Sequence, residues 1–246
     1  MVLVGDPGCD GVPPAAKINV GQLTLPAVED AERANARRVL ARVVQSEARR
    51  YYRFASRIVP SGTWESVWDR LAFAILSANT RTDDAVRALQ VFVRHGRPTV
   101  LSPNVRAALL GCRIAPTKQQ YVVDLPQRQT LVDFAACRVG ETWDAFRVRL
   151  MSVPGLAMTK ATFAACLLYP VSADLACLDT WVLKALTLRC RFEVVSQSEY
   201  RALENEIRDL ARPAGVCTNI AQWIIWDYVR GSVTDQAWFA DVERTI

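Results

Sequence analysis

The chain has 246 residues, 51% of them apolar and 22% charged, a balance that excludes extended disorder and allows one large domain or two smaller lobes with a sizeable core. Lysine and arginine outnumber aspartate and glutamate 30 to 25, a net charge of +5 that suits a polyanionic partner without demanding one. No stretch of 18 apolar residues and no charged n-region followed by an apolar h-region occurs, so a cytoplasmic protein without a membrane span is expected.

Residues 1–28 carry Gly5, Pro7, Gly8, Gly11, Pro13, Pro14, Gly21 and Pro26, and read as an irregular leader. Its glycines lack the Gly-Lys-Ser/Thr of a phosphate loop. From Ala27 to Ile58 the spacing of Val39, Leu40, Val43, Val44, Tyr51, Phe54 and Ile58 predicts one or two amphipathic helices. After Pro60-Ser61-Gly62, Thr63 can cap a helix bearing Trp64, Val67, Trp68, Leu71 and Ile75, which ends near residues 77–80. The next helix starts at Asp83-Asp84. Shorter ones are predicted over 104–111, 117–125, 129–137 and 142–151, between Pro98, Pro103, Pro116, Pro126 and Gly140.

Val153-Pro154-Gly155-Leu156-Ala157 forms a turn between helices 142–151 and 158–168. A further helix opens after Asp179. Ser196-Gln197-Ser198-Glu199 has the form of a capping box, and a last helix holds Ile220, Trp223, Ile224 and Tyr228. With no alternating strand pattern, the chain reads as all-α with about ten helices.

Few residues can carry chemistry. His95 is the one histidine, so a Ser-His-Asp triad, a Cys-His pair or an HExxH zinc site would have to rest on it alone. The seven cysteines are scattered, without a CxxC pair, and read as reduced core thiols. Neither a metal nor another cofactor is expected. Catalysis then falls to carboxylates, lysine or water. Asp179, just before Trp181-Val182-Leu183, reads by itself as a helix N-cap. The Pro154-Gly155 turn by itself reads as a connection between two helices.

Taken together and in order, these segments resemble the helix-hairpin-helix DNA glycosylases of the endonuclease III and adenine glycosylase superfamily over roughly residues 60–190. Leu76-Ser77-Ala78-Asn79-Thr80 is similar to the family's Leu-Ser-Ala-Gln segment. Ala115-Pro116-Thr117-Lys118-Gln119 occupies the place of a short helix opening with a lysine. Residues 153–157 resemble its Leu-Pro-Gly-Val-Gly hairpin, and Leu178-Asp179-Thr180 its Val-Asp-Thr.

The resemblance implies a two-lobed fold, with a helical barrel lobe over 60–172 carrying the hairpin and a second lobe from 29–59 plus 173–246. It implies Asp179 as the catalytic carboxylate, stabilising the positive charge that develops on the sugar. It implies double-stranded DNA as partner, met by a monomer through Asn79, Lys118, Gly155, Leu156, Ala157, Thr159 and Lys160. Asn79 would fill the gap left by an extruded nucleotide, although it could equally cap its helix. Ala157 stands where the family has a second glycine, and it resists a positive φ that the phosphate clamp would require.

Lys160 has two registers. Counted from the hairpin, the family's Schiff-base lysine falls on Thr159; counted back nineteen residues from Asp179, it falls on Lys160. One residue turns a helix by about 100°. The hairpin count makes Lys160 a phosphate contact and the enzyme monofunctional, leaving an abasic site. The stretch from Gln222-Trp223 to Trp226-Asp227 resembles phage-associated thymine-hypermodification members and antiphage glycosylases of glucosylated hydroxymethylcytosine, which implies a bulky modified pyrimidine, possible in phage DNA, as substrate. By itself the Trp223–Tyr228 cluster reads as core. A base-hypermodification enzyme on the same fold and a non-catalytic DNA-binding module are the rival functions.

Overall fold

Residues 25–127, 129–187 and 196–231, the part of the chain that the computed structural model describes, hold eleven α-helices, one 3-10 turn and no strand. The expected leader lies almost wholly outside these residues. The arginine-rich amphipathic stretch forms one helix, α1 (Leu25–Ala55). Thr63 caps α2 (Trp64–Leu76) by accepting from the Ser66 amide. α3 (Thr82–Arg94) follows, then α4 (Pro103–Leu109), the 3-10 turn Leu110–Cys112, α5 (Pro116–Val123) and α6 (Gln129–Ala135). Prolines open α4 and α5, where a missing N–H costs nothing. α7 (Trp143–Leu150) and α8 (Met158–Leu168) flank the hairpin turn, and α9 (Thr180–Thr187) starts directly after Asp179. The capping box at Ser196 opens α10 (Gln197–Ala214), and α11 (Thr218–Val229) ends the described chain.

Two apolar clusters sort these helices. One is built from α2 to α8, with Trp68, Phe73, Phe92, Phe146 and Leu150 fully buried or nearly so. The other joins α1, α9, α10 and α11 through Tyr51, Val182, Ile207, Ile220 and Ile224. Polar side chains tie elements across long sequence separations. The buried Arg70 guanidinium donates to the carbonyls of Ile58, Ser66 and Leu167, fixing α2 against the end of α8, and burial pushes its pKa down to about 10. Arg147 on α7 reaches Glu204 on α10 at 3.0 Å and Thr162 on α8 at 3.3 Å. No helix among the described residues is long and apolar enough to cross a membrane.

Candidate active site

Asp179 ends an irregular stretch between α8 and α9 that α10 braces from below. Glu204 accepts the Ala176 amide at 2.9 Å. One turn earlier on the same face, Tyr200 Oη donates to the Ala176 carbonyl at 2.8 Å and accepts the Leu178 amide at 3.2 Å. The carboxylate that emerges is fully engaged. Oδ1 accepts the Trp181 and Val182 amides, both at 3.0 Å, so Asp179 does cap α9; Oδ2 accepts the Trp226 indole N–H at 2.6 Å. Burial raises the Asp179 carboxyl above its ordinary pKa, opposed by the Val182 amide, the Trp226 indole, the Lys160 charge and the Trp181 amide.

A cavity of about 420 Å³ opens above this carboxylate. The end of α2 supplies Phe73 and Ser77, α8 supplies Lys160 and Phe163, and α11 with its C-cap supplies Gln222, Trp223, Trp226 and Arg230. Cys177 and Trp181 flank Asp179, and Thr80, Arg81, Thr82 and Asp83 form a polar rim. The Lys160 ammonium donates to Ser77 Oγ at 3.1 Å and lies 5.2 Å from the centre of the Phe163 ring. The Gln222 side chain is buried, and its Oε1 has no hydrogen-bond partner among the described residues. A buried acceptor left unpaired is costly, which suits an N–H donor arriving with a ligand. The Arg230 guanidinium covers the Trp226 ring at 4.0 Å.

The two lysine registers separate in space. Lys160 lines the cavity with Asp179, whereas Thr159, which the hairpin count favours, is not among the lining residues, and its carbonyl accepts the Cys177 thiol. Lys118 is also turned inward: its ammonium donates to the Ala78 carbonyl and, at 2.6 Å, to Thr80 Oγ1. Burial, then the Lys160 charge, lowers its pKa. Between those two anchor points, Asn79 adopts a left-handed backbone (φ 48°) and is exposed outside the cavity. Ser77, not Asn79, caps α2.

In the hairpin, Gly155 has φ +88°, and a Cβ there would lie 2.8 Å from the Tyr121 ring. Leu156 is buried and its amide donates to the Val153 carbonyl. Ala157 sits at φ −70°, ψ 171°, an extended geometry open to any residue, so the alanine there carries none of the strain expected of it.

Gln222, Trp226, Arg230 and Ser77 are cavity residues that sequence reasoning did not single out as site residues. The first three recur every four residues along α11, which puts them on one face. The apolar residues filling the rest of that helix mask the pattern. Trp223, 2% exposed, is largely core, as the cluster reads by itself; its neighbour Trp226 is not.

The architecture is a fold seen in helical DNA glycosylases. The chain has the fold of the 8-oxoguanine DNA glycosylase of Thermotoga maritima, with a TM-score of 0.63 and 17% identity over 82% of this chain and 99% of that one. It is equally similar to the 8-oxoguanine DNA glycosylase of Methanocaldococcus jannaschii, with a TM-score of 0.63, 17% identity and 97% of that chain covered. The 8-oxoguanine glycosylase/lyase of the latter organism in complex with a 15mer DNA containing 8-oxoguanine gives a TM-score of 0.65, 17% identity, and coverage of 79% of this chain and 99% of that one. No protein-family model matches the chain, and no curated protein sequence does.

Proposed function

We propose that the protein is a DNA glycosylase that excises a modified base from a flipped nucleotide, with Asp179 as the anion beside the sugar and Lys160 as the attacking amine. The observation that carries this reading is that Asp179 and Lys160 line one cavity between the two apolar clusters. A base inside a duplex hides its glycosidic bond, so the nucleotide has to leave the stack and enter such a cleft. As the bond to the base breaks, positive charge develops at C1′, and a fixed carboxylate in a water-poor site stabilises it. Lys160, held by Ser77, gives up one ammonium proton, and the resulting amine forms a bond to C1′ while the base leaves with the bonding electrons and takes up that proton. Opening of the sugar ring gives an imine, from which loss of a C2′ proton expels the 3′ phosphate and cuts the strand. The lyase step departs from the monofunctional expectation, because the position of Lys160 favours the register counted from Asp179.

Partner and substrate follow from the same site. Double-stranded DNA is the proposed partner, with the hairpin and the α8 N-terminus facing phosphate and Asn79 entering the gap. The polar rim of Thr80, Arg81, Thr82 and Asp83 offers hydrogen bonds beyond the reach of an ordinary base. This supports a bulky substituted pyrimidine, such as glucosylated 5-hydroxymethylcytosine, over 8-oxoguanine, the base named for the structural neighbours. Borohydride added to the protein with an abasic-site duplex tests the chemistry without knowledge of the base. A covalent adduct lost in Lys160→Ala is expected; an adduct unchanged in Lys160→Ala, or none with the wild type, rejects Lys160 as nucleophile.

A further inference from the structure

Both oxygens of Asp179 already hold hydrogen bonds, and only one of the three donors is a side chain: the Trp226 indole N–H, 2.6 Å from Oδ2. The two amides on Oδ1 belong to α9 and come with any N-cap aspartate. The indole comes from α11, an element forty-seven residues further along the chain. Its ring is in turn covered on one face by Arg230 at 4.0 Å, one helical turn away. A buried indole N–H seeks an acceptor, and here the acceptor is a carboxylate that itself lines the cavity.

We propose that Trp226 is a positioning residue for the reaction: its N–H fixes Oδ2 of Asp179 and so orients the anion beside the cavity, and Arg230 clamps the ring in that pose. The proposal rests on the reading of Asp179 as the working anion. It adds that the anion's orientation and charge are set from the opposite helix. A hydrogen bond donated to a carboxylate favours its charged form, so removing the donor leaves burial less opposed and moves the carboxyl's titration to higher pH. The other groups around Asp179 act together with this donor. Lys160 on α8 favours the anion; among the described residues, Cys177 on the same segment, Arg230 at the C-cap of α11, and Arg81 with Asp83 also line the cavity.

The test replaces Trp226 by Phe and, separately, by benzothienylalanine, which keeps the two-ring shape and stacking face but has sulfur in place of the N–H. Titration of the ligand-free chain with carboxyl-labelled aspartate follows Asp179 directly, its signal being identified by its loss in Asp179→Asn. Both replacements are expected to raise the Asp179 titration by about one pH unit or more, the size of a charge-assisted bond. Single-turnover release of free base from DNA carrying glucosylated 5-hydroxymethylcytosine is expected to show its acid limb displaced by the same amount, with little change in DNA affinity. A titration and acid limb within a few tenths of a unit of wild type in the benzothienylalanine protein would overturn the proposal and leave Trp226 as a wall. Wild-type base release by Asp179→Asn would instead reject Asp179 as the working anion, and the titration of the free chain would still decide whether Trp226 holds it.

Discussion

At Asp179 the helix cap that the sequence offers coexists with a place in the cavity wall. One oxygen caps α9 and the other faces the cavity beside the Trp226 indole. That Asp179 lines a cavity agrees with the order of the motifs around it. The lysine was legible only in part, since one residue of register changes which face of α8 it occupies. Trp226 and Gln222 were not legible, because an aromatic or amide in an apolar helix looks like core until the opposing elements are in place. Glu141 shows a different residue-scale effect. Its bonds to Arg149 hold its carboxyl at about 2, against 4.5 for an unperturbed glutamate. A depressed folded-state pKa adds stability above the unfolded value, and that contribution disappears as pH falls from 4.5 toward 2. The buried Asp69 and Glu204, both shifted upward chiefly by burial, bind protons more readily when folded and act in the opposite sense. Glu141→Gln is therefore expected to flatten the acid-side fall of the urea midpoint. A fall as steep as in the wild type would show that this pair contributes nothing in acid.

Helix positions followed closely from caps, prolines and apolar spacing, because each is a local signal. The contacts between helices did not, since Glu204 and Arg147 lie fifty-seven residues apart and no periodicity pairs them. That pair is buried and braces the stretch leading to Asp179. Arg147→Met leaves the Glu204 carboxylate without its cation and is expected to cost about 3–5 kcal/mol in urea denaturation. Replacing both residues by apolar ones of similar size should recover much of that loss. If the double replacement is no better than the single one, the stranded charge is not the cause. The hairpin depends on a backbone rather than a pair. Gly155→Ala would force a Cβ into the Tyr121 ring at φ +88°, so a loss of more than about 1 kcal/mol is expected, with weakened binding to an unmodified duplex. Stability and binding equal to wild type would mean that the turn can relax and that its geometry is not needed at the DNA.

For the molecule as a whole, the fold class was readable from the absence of strands and from the motif order. The cavity was not, because its walls come from α2, α8, α11 and the stretch before α9 at once. The central claim is that this composite cleft breaks a glycosidic bond and that Asp179 supplies the charge. The most direct measurement is mass spectrometry of free base released under single-turnover conditions from DNAs carrying glucosylated hydroxymethylcytosine, 8-oxoguanine or uracil, by the wild type and by Asp179→Asn. The expected result is release of one modified base, favouring the glucosylated pyrimidine, with a drop of about a hundredfold or more in Asp179→Asn at unchanged folding. Release at the wild-type rate by a folded Asp179→Asn protein, or no base from any of the three DNAs, would contradict the account.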